Sequence, residues 1–313
     1  MVGGEAGLAR VASHPAVAAR RSRVLLREWG LFGLLVAPNL LLLAAFTYWP
    51  LAYNVYLSLV SWDMLSPVKT FVGLDNFKAL AADTVFWHVF FNTFYFVIAG
   101  VALTMLVALA AALLLNQQLH GRGAARAIVF APTVLTGSAI AIIWIYIFDP
   151  TYGLMRIFLS LFGAGSPRWL TDTKWAMPAI IIVYIWKSFG YAVVVYLAGL
   201  QGIPKELYEA ATVDGASPWD RFRAVTLPGL SPITFFLVVT SILNSFQAFD
   251  IVAVMTKGGP VDSTNTLIYH LYEEGFLFFH AGSAAAIGVI LFLLMLIVTV
   301  IQLRAFERRV HYA

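Results

Sequence analysis

Cysteine is absent from this chain, which excludes disulfides, thiolate metal sites and cysteine nucleophiles, and leaves the redox compartment open. Charge is scarce. Asp, Glu, Lys and Arg make up 12% of the 313 residues, against about 25% in an ordinary soluble domain. The six histidines have no metal-ligand spacing, and His270, His280 and His311 are too scattered to form a site. No Gly-rich phosphate loop of the Gly-Lys-Ser/Thr type occurs, so the chain cannot bind ATP in that manner. Ser, His and Asp fall in no recognisable catalytic arrangement. An enzyme is therefore not expected, and neither is a directly bound cofactor.

What the chain has in excess is apolar sequence: 61% hydrophobic residues and a mean hydropathy of +0.83. In water such a chain would expose a mostly apolar surface, so lipid is its expected solvent. A bilayer core of about 30 Å takes roughly 20 apolar helical residues. The gaps between charges mark out six such runs: Leu31–Leu59, Val89–Leu115, Ala127–Phe148, Trp175–Leu200, Gly229–Met255 and Gly275–Leu303. They are continuous and far too long for the short alternating strands of a transmembrane barrel. Pro38, Pro132 and Pro178 fall early in helices one, three and four, where a missing N–H costs little. The expected fold is an all-α membrane protein of six transmembrane helices.

Orientation follows from the loops. An N-terminus inside puts Arg10, Arg20, Arg21, Arg23, Arg27, Arg122, Arg126, Lys205, Arg221, Arg223, Arg304, Arg308 and Arg309 in the cytoplasm. Only Lys69, Lys78, Arg156, Arg168, Lys174 and Lys257 then lie outside. The positive-inside rule places both termini in the cytoplasm. Trp49, Trp62, Trp87, Trp169 and Trp175 fall near the outer boundary, as interfacial aromatics do. The formal charge of +4, spread over short loops, suits membrane orientation rather than nucleic-acid binding. Residues 1–28 read as a loose cytoplasmic tail and 29–313 as the transmembrane domain, since the first apolar run is too long for a signal peptide.

One cytoplasmic loop, residues 203–228, has the chemistry of two short helices set at an angle. Pro204 suits a first turn, with Glu206 and Glu209 near its positive end. Asp214-Gly215 ends that helix, Ser217-Pro218 starts another as N-cap and first residue, and Leu227-Pro228 stops it. Ala210 and Ala211 leave a smooth surface for a partner, with Glu209 and Arg221 as charges at its rim. A connector lying on the bilayer surface is the plainer alternative.

The run Glu209-Ala210-Ala211, Asp214-Gly215-Ala216 and Leu227-Pro228 resembles the EAA loop of binding-protein-dependent ABC importer permeases. The Gly lies six residues after the Glu and the Leu-Pro a further twelve on, as in that family. The resemblance extends over nearly the whole chain, through Phe71-Val72-Gly73-Leu74-Asp75-Asn76-Phe77, Phe148-Asp149-Pro150 with Gly153, and Gly258-Gly259-Pro260. It looks like the carbohydrate branch, the subunit type of maltose importers. Thr264 to Phe276 and the C-terminal Glu307-Arg308-Arg309-Val310-His311-Tyr312 are most similar to the glycerol-3-phosphate-type permeases. The resemblance implies a maltose-importer-permease-like (type I) fold whose loop docks on an ATP-binding subunit through Glu209, Ala210, Ala211, Asp214 and Gly215. It also implies the partners: a second related permease, two ATP-binding subunits that use ATP and Mg, and an extracytoplasmic solute-binding protein.

A charge at a bilayer-crossing helix centre costs about 2.5–3.5 kcal/mol on insertion scales and points to function. Lys187 lies mid-helix, and Tyr184, Lys187, Ser188 and Tyr191 share one face at i, i+3, i+4 and i+7. On helix five Ser241, Asn244, Ser245 and Gln247 form a polar cluster. Counted from the shared connection, Lys187 and Ser241 fall at nearly equal depth, so the clusters are expected to face each other across a midplane cavity. By resemblance to maltose-type permeases, the positions of Tyr184, Lys187, Ser188, Tyr191, Ser241 and Ser245 lie along the solute. An ammonium among tyrosine and amide groups suits a polyol phosphate or phosphodiester, and a neutral sugar is the alternative. Lys187 has a second possible role, as half of an ion pair with Asp250 or a partner. Asp250, near the outer end of helix five, is a candidate gate. An ion-coupled secondary transporter fits less well, for Asp250 is the one intramembrane acid and no repeat is visible.

Overall fold

The computed structural model describes residues 15–117 and 120–307. Residues 1–14 of the expected tail, and the Arg308–Tyr312 stretch that entered the resemblance, lie outside them. Two compact units divide the chain, one ending at Asn54 and the other beginning at Val55. In the first, α1 (Pro15–Leu43) is followed by a π turn over Ala44–Tyr48 and the start of α2 (Trp49–Ser58), whose last residues fall in the second. Helix thus begins at Pro15, inside the segment expected as a loose tail, and Pro38 lies within α1.

After α2 comes a short antiparallel ladder of β1 (Val60–Ser61) and β2 (Thr70–Phe71), Val60 opposite Phe71. Then come α3 (Asp75–Ala82), α4 (Thr84–Leu115), α5 (Arg122–Val134), α6 (Gly137–Ile147), α7 (Leu154–Ser160) and α8 (Ala176–Gly202). The connector that follows holds α9 (Lys205–Val213), α10 (Pro218–Arg221), a π turn over Phe222–Thr226 and α11 (Leu227–Gly229). The chain closes with α12 (Ser231–Phe246), α13 (Asp250–Met255), α14 (Leu267–Tyr272), a π turn over Glu273–Leu277 and α15 (Ala281–Glu307).

Among the described residues five helical stretches are long and apolar enough to cross a membrane: Glu28–Ser58, Thr84–Leu115, Ala176–Gly202, Ser231–Met255 and Ala281–Arg304. The expected third helix is not straight. It is the pair α5 and α6, bent by 105° between Val134 and Gly137. Thr136 makes the break. Its backbone is extended and its hydroxyl accepts from Ala139 N–H at 3.4 Å, so it caps a new helix rather than continuing the old one. Pro132 accordingly sits in the last turn of α5, not early in a longer helix. The sixth helix also starts later than expected. Glu273–Leu277 belongs to the turn after α14, Phe279 takes a left-handed φ of 61°, and α15 begins at Ala281, whose N–H reaches Trp62 O at 2.9 Å.

Within a membrane, helices gain little from apolar burial against each other, and close contact of small residues matters more. Gly190 illustrates this. A Cβ there would clash with Val129 O and stand 3.0 Å from Thr133 Oγ1, so α5 rests on α8 backbone to backbone. Arg126 donates to Leu115 O at 3.1 Å, tying the start of α5 to the end of α4. Further along, Phe148 stacks on Trp169 at 5.1 Å, and Trp169 meets Trp175 at the head of α8 at 5.2 Å. The bent pair therefore progresses along α8 from its middle to its N-terminal end. On the opposite side α4 runs parallel to α8, with Phe96 against Tyr184 at 5.1 Å and Tyr196 donating to Met105 Sδ at 3.8 Å.

Candidate functional site

A cavity of about 460 Å³ opens between α8, α12 and α13. That is within the roughly 300–1,000 Å³ typical of small-molecule sites. From α8 come Tyr184, Lys187, Ser188 and Tyr191; from α12 Ser241 and Asn244; and Gln247, Asp250 and Thr133 complete the polar lining. The two clusters expected to face each other do so. Their meeting point is one turn from the expected one: Tyr184 Oη donates to Ser241 O at 3.2 Å, while Lys187 reaches beyond, to Asp250. Ser245 does not line the cavity. It is buried, and its hydroxyl turns back to Ile242 O at 2.8 Å.

Lys187 Nζ and Asp250 Oδ2 stand 3.2 Å apart, their side chains 28% and 34% exposed. The pair offsets the cost of two charges at membrane depth, and partial exposure leaves it open to the cavity. It forms because helix five is interrupted. Gln247 ends α12, Phe249 N–H turns to Gln247 O at 2.8 Å, and Asp250 begins α13 facing α8. Asp250 is thus an element of the cavity wall, joined to Lys187.

Two neighbours escaped the sequence reading. Thr133 Oγ1 donates to Lys187 O at 3.4 Å. Gly137 lies against the ion pair, where a Cβ would overlap Asp250 Oδ2 and Cγ and stand 2.6 Å from Lys187 Nζ. The signal was Thr136-Gly137, a cap followed by a residue without a side chain, inside an apolar run that read as one helix. Among the described residues no group of three or more His, Asp or Glu is arranged to hold a metal ion.

At the connector, α9 ends as expected. Gly215 takes φ +79°, its N–H goes to Thr212 O at 3.1 Å, and Ala216 N–H goes to Ala211 O at 2.9 Å. This is the left-handed glycine cap. Ser217 then begins α10 with a full capping box, its hydroxyl and Asp220 bonding each other's backbone N–H. These Ser217 bonds, side chain first and backbone second, hold the Asp220 carboxyl below the usual carboxylate range. Leu227-Pro228 does not stop the helix. The π turn has already shifted the register, with Leu227 N–H on Phe222 O, so the N–H that Pro228 lacks is not missed and Leu230 N–H resumes on Thr226 O.

Glu209, Ala210, Asp214 and Gly215 are exposed on one limb, and Ala211 is half-buried. Arg221 points inward instead of lying at a rim: its Nη1 donates to Thr212 Oγ1 at 3.2 Å across the two limbs. Tyr208 Oη and Thr226 Oγ1 make a second strut at 3.0 Å.

Comparison with known proteins gives a consistent picture. The family model for the binding-protein-dependent transport system inner membrane component matches residues 106–312. The sn-glycerol-3-phosphate transport system permease protein UgpA of Pectobacterium atrosepticum is 36% identical over 294 residues, 93% of this chain and 99% of that protein. Its Escherichia coli counterpart is 35% identical over 292 residues, with the same coverage of 93% and 99%. A probable ABC transporter permease of Pyrococcus horikoshii is 35% identical over 267 residues, 85% of this chain and 91% of that one. Among solved structures, a bacterial ABC transporter involved in importing the acidic polysaccharide alginate superimposes with a TM-score of 0.78 at 24% identity, covering 92% of this chain and 99% of that one. The likeness is one of fold: an all-α, multi-span type I importer permease.

Proposed function

The chain belongs to the family of binding-protein-dependent transport system inner membrane components, and we propose that its solute is a small phosphorylated polyol, sn-glycerol-3-phosphate or a glycerophosphodiester. As a member of that family it is the permease subunit of an ABC importer, a multi-pass protein of the inner membrane. Its energy then comes from elsewhere: two ATP-binding subunits hydrolyse ATP with Mg, a second homologous permease completes the pathway, and an extracytoplasmic binding protein delivers the solute.

The observation that carries the substrate reading is Lys187 in a cavity whose other polar lining groups are hydroxyls, amides and one acid, beside Ala248, Phe249 and Ile251. The relatives named above for sn-glycerol-3-phosphate transport, similar along nearly their whole length, support it. Six spans with both termini in the cytoplasm fit the path of the bent pair along α8, since a pair that crosses puts residues 203–228 on the cytoplasmic face. There Glu209, Ala210, Ala211, Asp214 and Gly215 form the surface for an ATP-binding subunit. The struts Arg221–Thr212 and Tyr208–Thr226 make the elbow rigid. Closure of the ATP-binding subunits then moves α8 and α12 together, because neither limb bends.

The test is uptake by a strain deleted for this gene and complemented with it, given labelled sn-glycerol-3-phosphate, a glycerophosphodiester and a neutral disaccharide. Uptake of the phosphorylated solutes alone is expected. Uptake of the disaccharide alone would move the substrate reading to neutral sugars and leave the permease role intact.

A further inference from the structure

Three features of the Lys187–Asp250 pair combine. The first is its seat. The carboxylate lies on the bare backbone of Gly137, so closely that a Cβ there would overlap it. The ammonium of Lys187 meets Oδ2, and the N–H of Ile251 donates to Oδ1 at 3.0 Å. An ammonium on one side and a bare glycine on the other leave room there for an anion.

The second is charge balance. Every other polar residue of the lining, Thr133 and Tyr191 included, is neutral. While Asp250 holds Lys187, the cavity wall offers no free cation to a solute. The third is access. Asp250 begins a short helix after the interruption at Gln247–Phe249, and neither member of the pair is sealed from the cavity.

We infer that Asp250 is an internal stand-in for the solute's anionic group. A phosphate oxygen exchanges for the Asp250 carboxylate on Lys187, and the carboxylate retakes its seat as solute leaves. The inference rests on the phosphorylated substrate proposed above. Exchange keeps Lys187 paired throughout, and the displaced carboxylate, 34% exposed, is left to water in the cavity rather than sealed in a low-dielectric wall. It also makes Asp250 a specificity-determining residue: an uncharged polyol has nothing with which to displace a tethered carboxylate, and the returning carboxylate drives release.

The experiment uses the whole importer in proteoliposomes, with ATP in the lumen and binding protein outside. Labelled sn-glycerol-3-phosphate is taken up against increasing unlabelled solute preloaded in the lumen. In Asp250→Asn the competitor is gone, so lumenal solute is expected to inhibit at about tenfold lower concentration. Asp250→Glu keeps the competitor and is expected to restore the wild-type inhibition curve. Gly137→Ala fills the seat and is expected to abolish uptake in a complex that still assembles. Should Asp250→Asn fail to assemble, Asp250→Ser carries the same expectation. Failure of both to assemble, or an inhibition curve unchanged in Asp250→Asn, makes the pair a structural brace and overturns the exchange. If the wild type takes up the disaccharide and no phosphorylated solute, the substrate reading itself is wrong and the exchange falls with it.

Discussion

Tyr208 and Thr226 meet hydroxyl to hydroxyl at 3.0 Å, joining the first limb of the connector to the last turn before α11. Together with Arg221 Nη1 on Thr212 Oγ1 at 3.2 Å, this bond makes an elbow out of what would otherwise be a hinge. Each strut contributes about 1 kcal/mol by the usual net value of a hydrogen bond. Removing both, as Tyr208→Phe with Arg221→Leu, is expected to leave ATP hydrolysis in the assembled importer and lower uptake per ATP several-fold. Unchanged transport stoichiometry would remove rigidity from the account of coupling.

The exposed limb makes a different prediction. Glu209→Arg reverses a charge on the surface assigned to the ATP-binding subunit, and Gly215→Pro cannot adopt φ +79°. Both are expected to abolish uptake while the protein remains in the membrane. Gly215→Ala is milder, since one left-handed residue costs roughly 1–2 kcal/mol. Co-purification of the ATP-binding subunit reads the effect: Glu209→Arg should lose it. Retention of both partner and uptake would move the docking surface elsewhere.

Acid should loosen the second limb. The Ser217 bonds lower the folded-state pKa of Asp220 relative to the unfolded chain. A depressed carboxyl contributes stability that is fully present above the unfolded value and is lost as pH falls through the folded one. Protease nicking of the elbow in membranes is therefore expected to rise below the ordinary carboxylate range. Asp220→Asn should abolish that pH dependence, and a dependence that persisted would belong to another group.

Gly190 tests the packing. Any side chain there meets Val129 O, so Gly190→Val must push α5 from α8. Overpacking of this kind costs about 1–3 kcal/mol. A lower melting temperature of the purified complex is expected, with greater loss for Val than for Ala. Equal melting for all three would contradict the close approach.

The bilayer runs were legible because charge is so sparse that gaps between acids and bases mark helix ends to within a few residues. Facing clusters on α8 and α12 followed from helical spacing and from counting back to a shared loop. The bend at Thr136 was not legible in the same way, since apolar residues continue on both sides of it and hydropathy is blind to φ and ψ. Pro228 misled for a related reason: a proline reads as a stop, but a π turn upstream absorbs its missing donor. Arg221 looked like a rim charge because the partner it found, Thr212, lies across a turn whose angle no linear pattern specifies. Gly137 was invisible because its role is the room it leaves.

Lys187 pairs with an anionic solute on a pathway that a separate ATPase drives. The test is ATP-dependent uptake of sn-glycerol-3-phosphate by the reconstituted complex, wild type against Lys187→Gln. Accumulation is expected to require ATP and the ATP-binding subunits and to fall by at least about tenfold in the variant, which lacks the cation that pairs with the phosphate. Undiminished uptake by Lys187→Gln, or pumping by this chain without any ATPase, would contradict it.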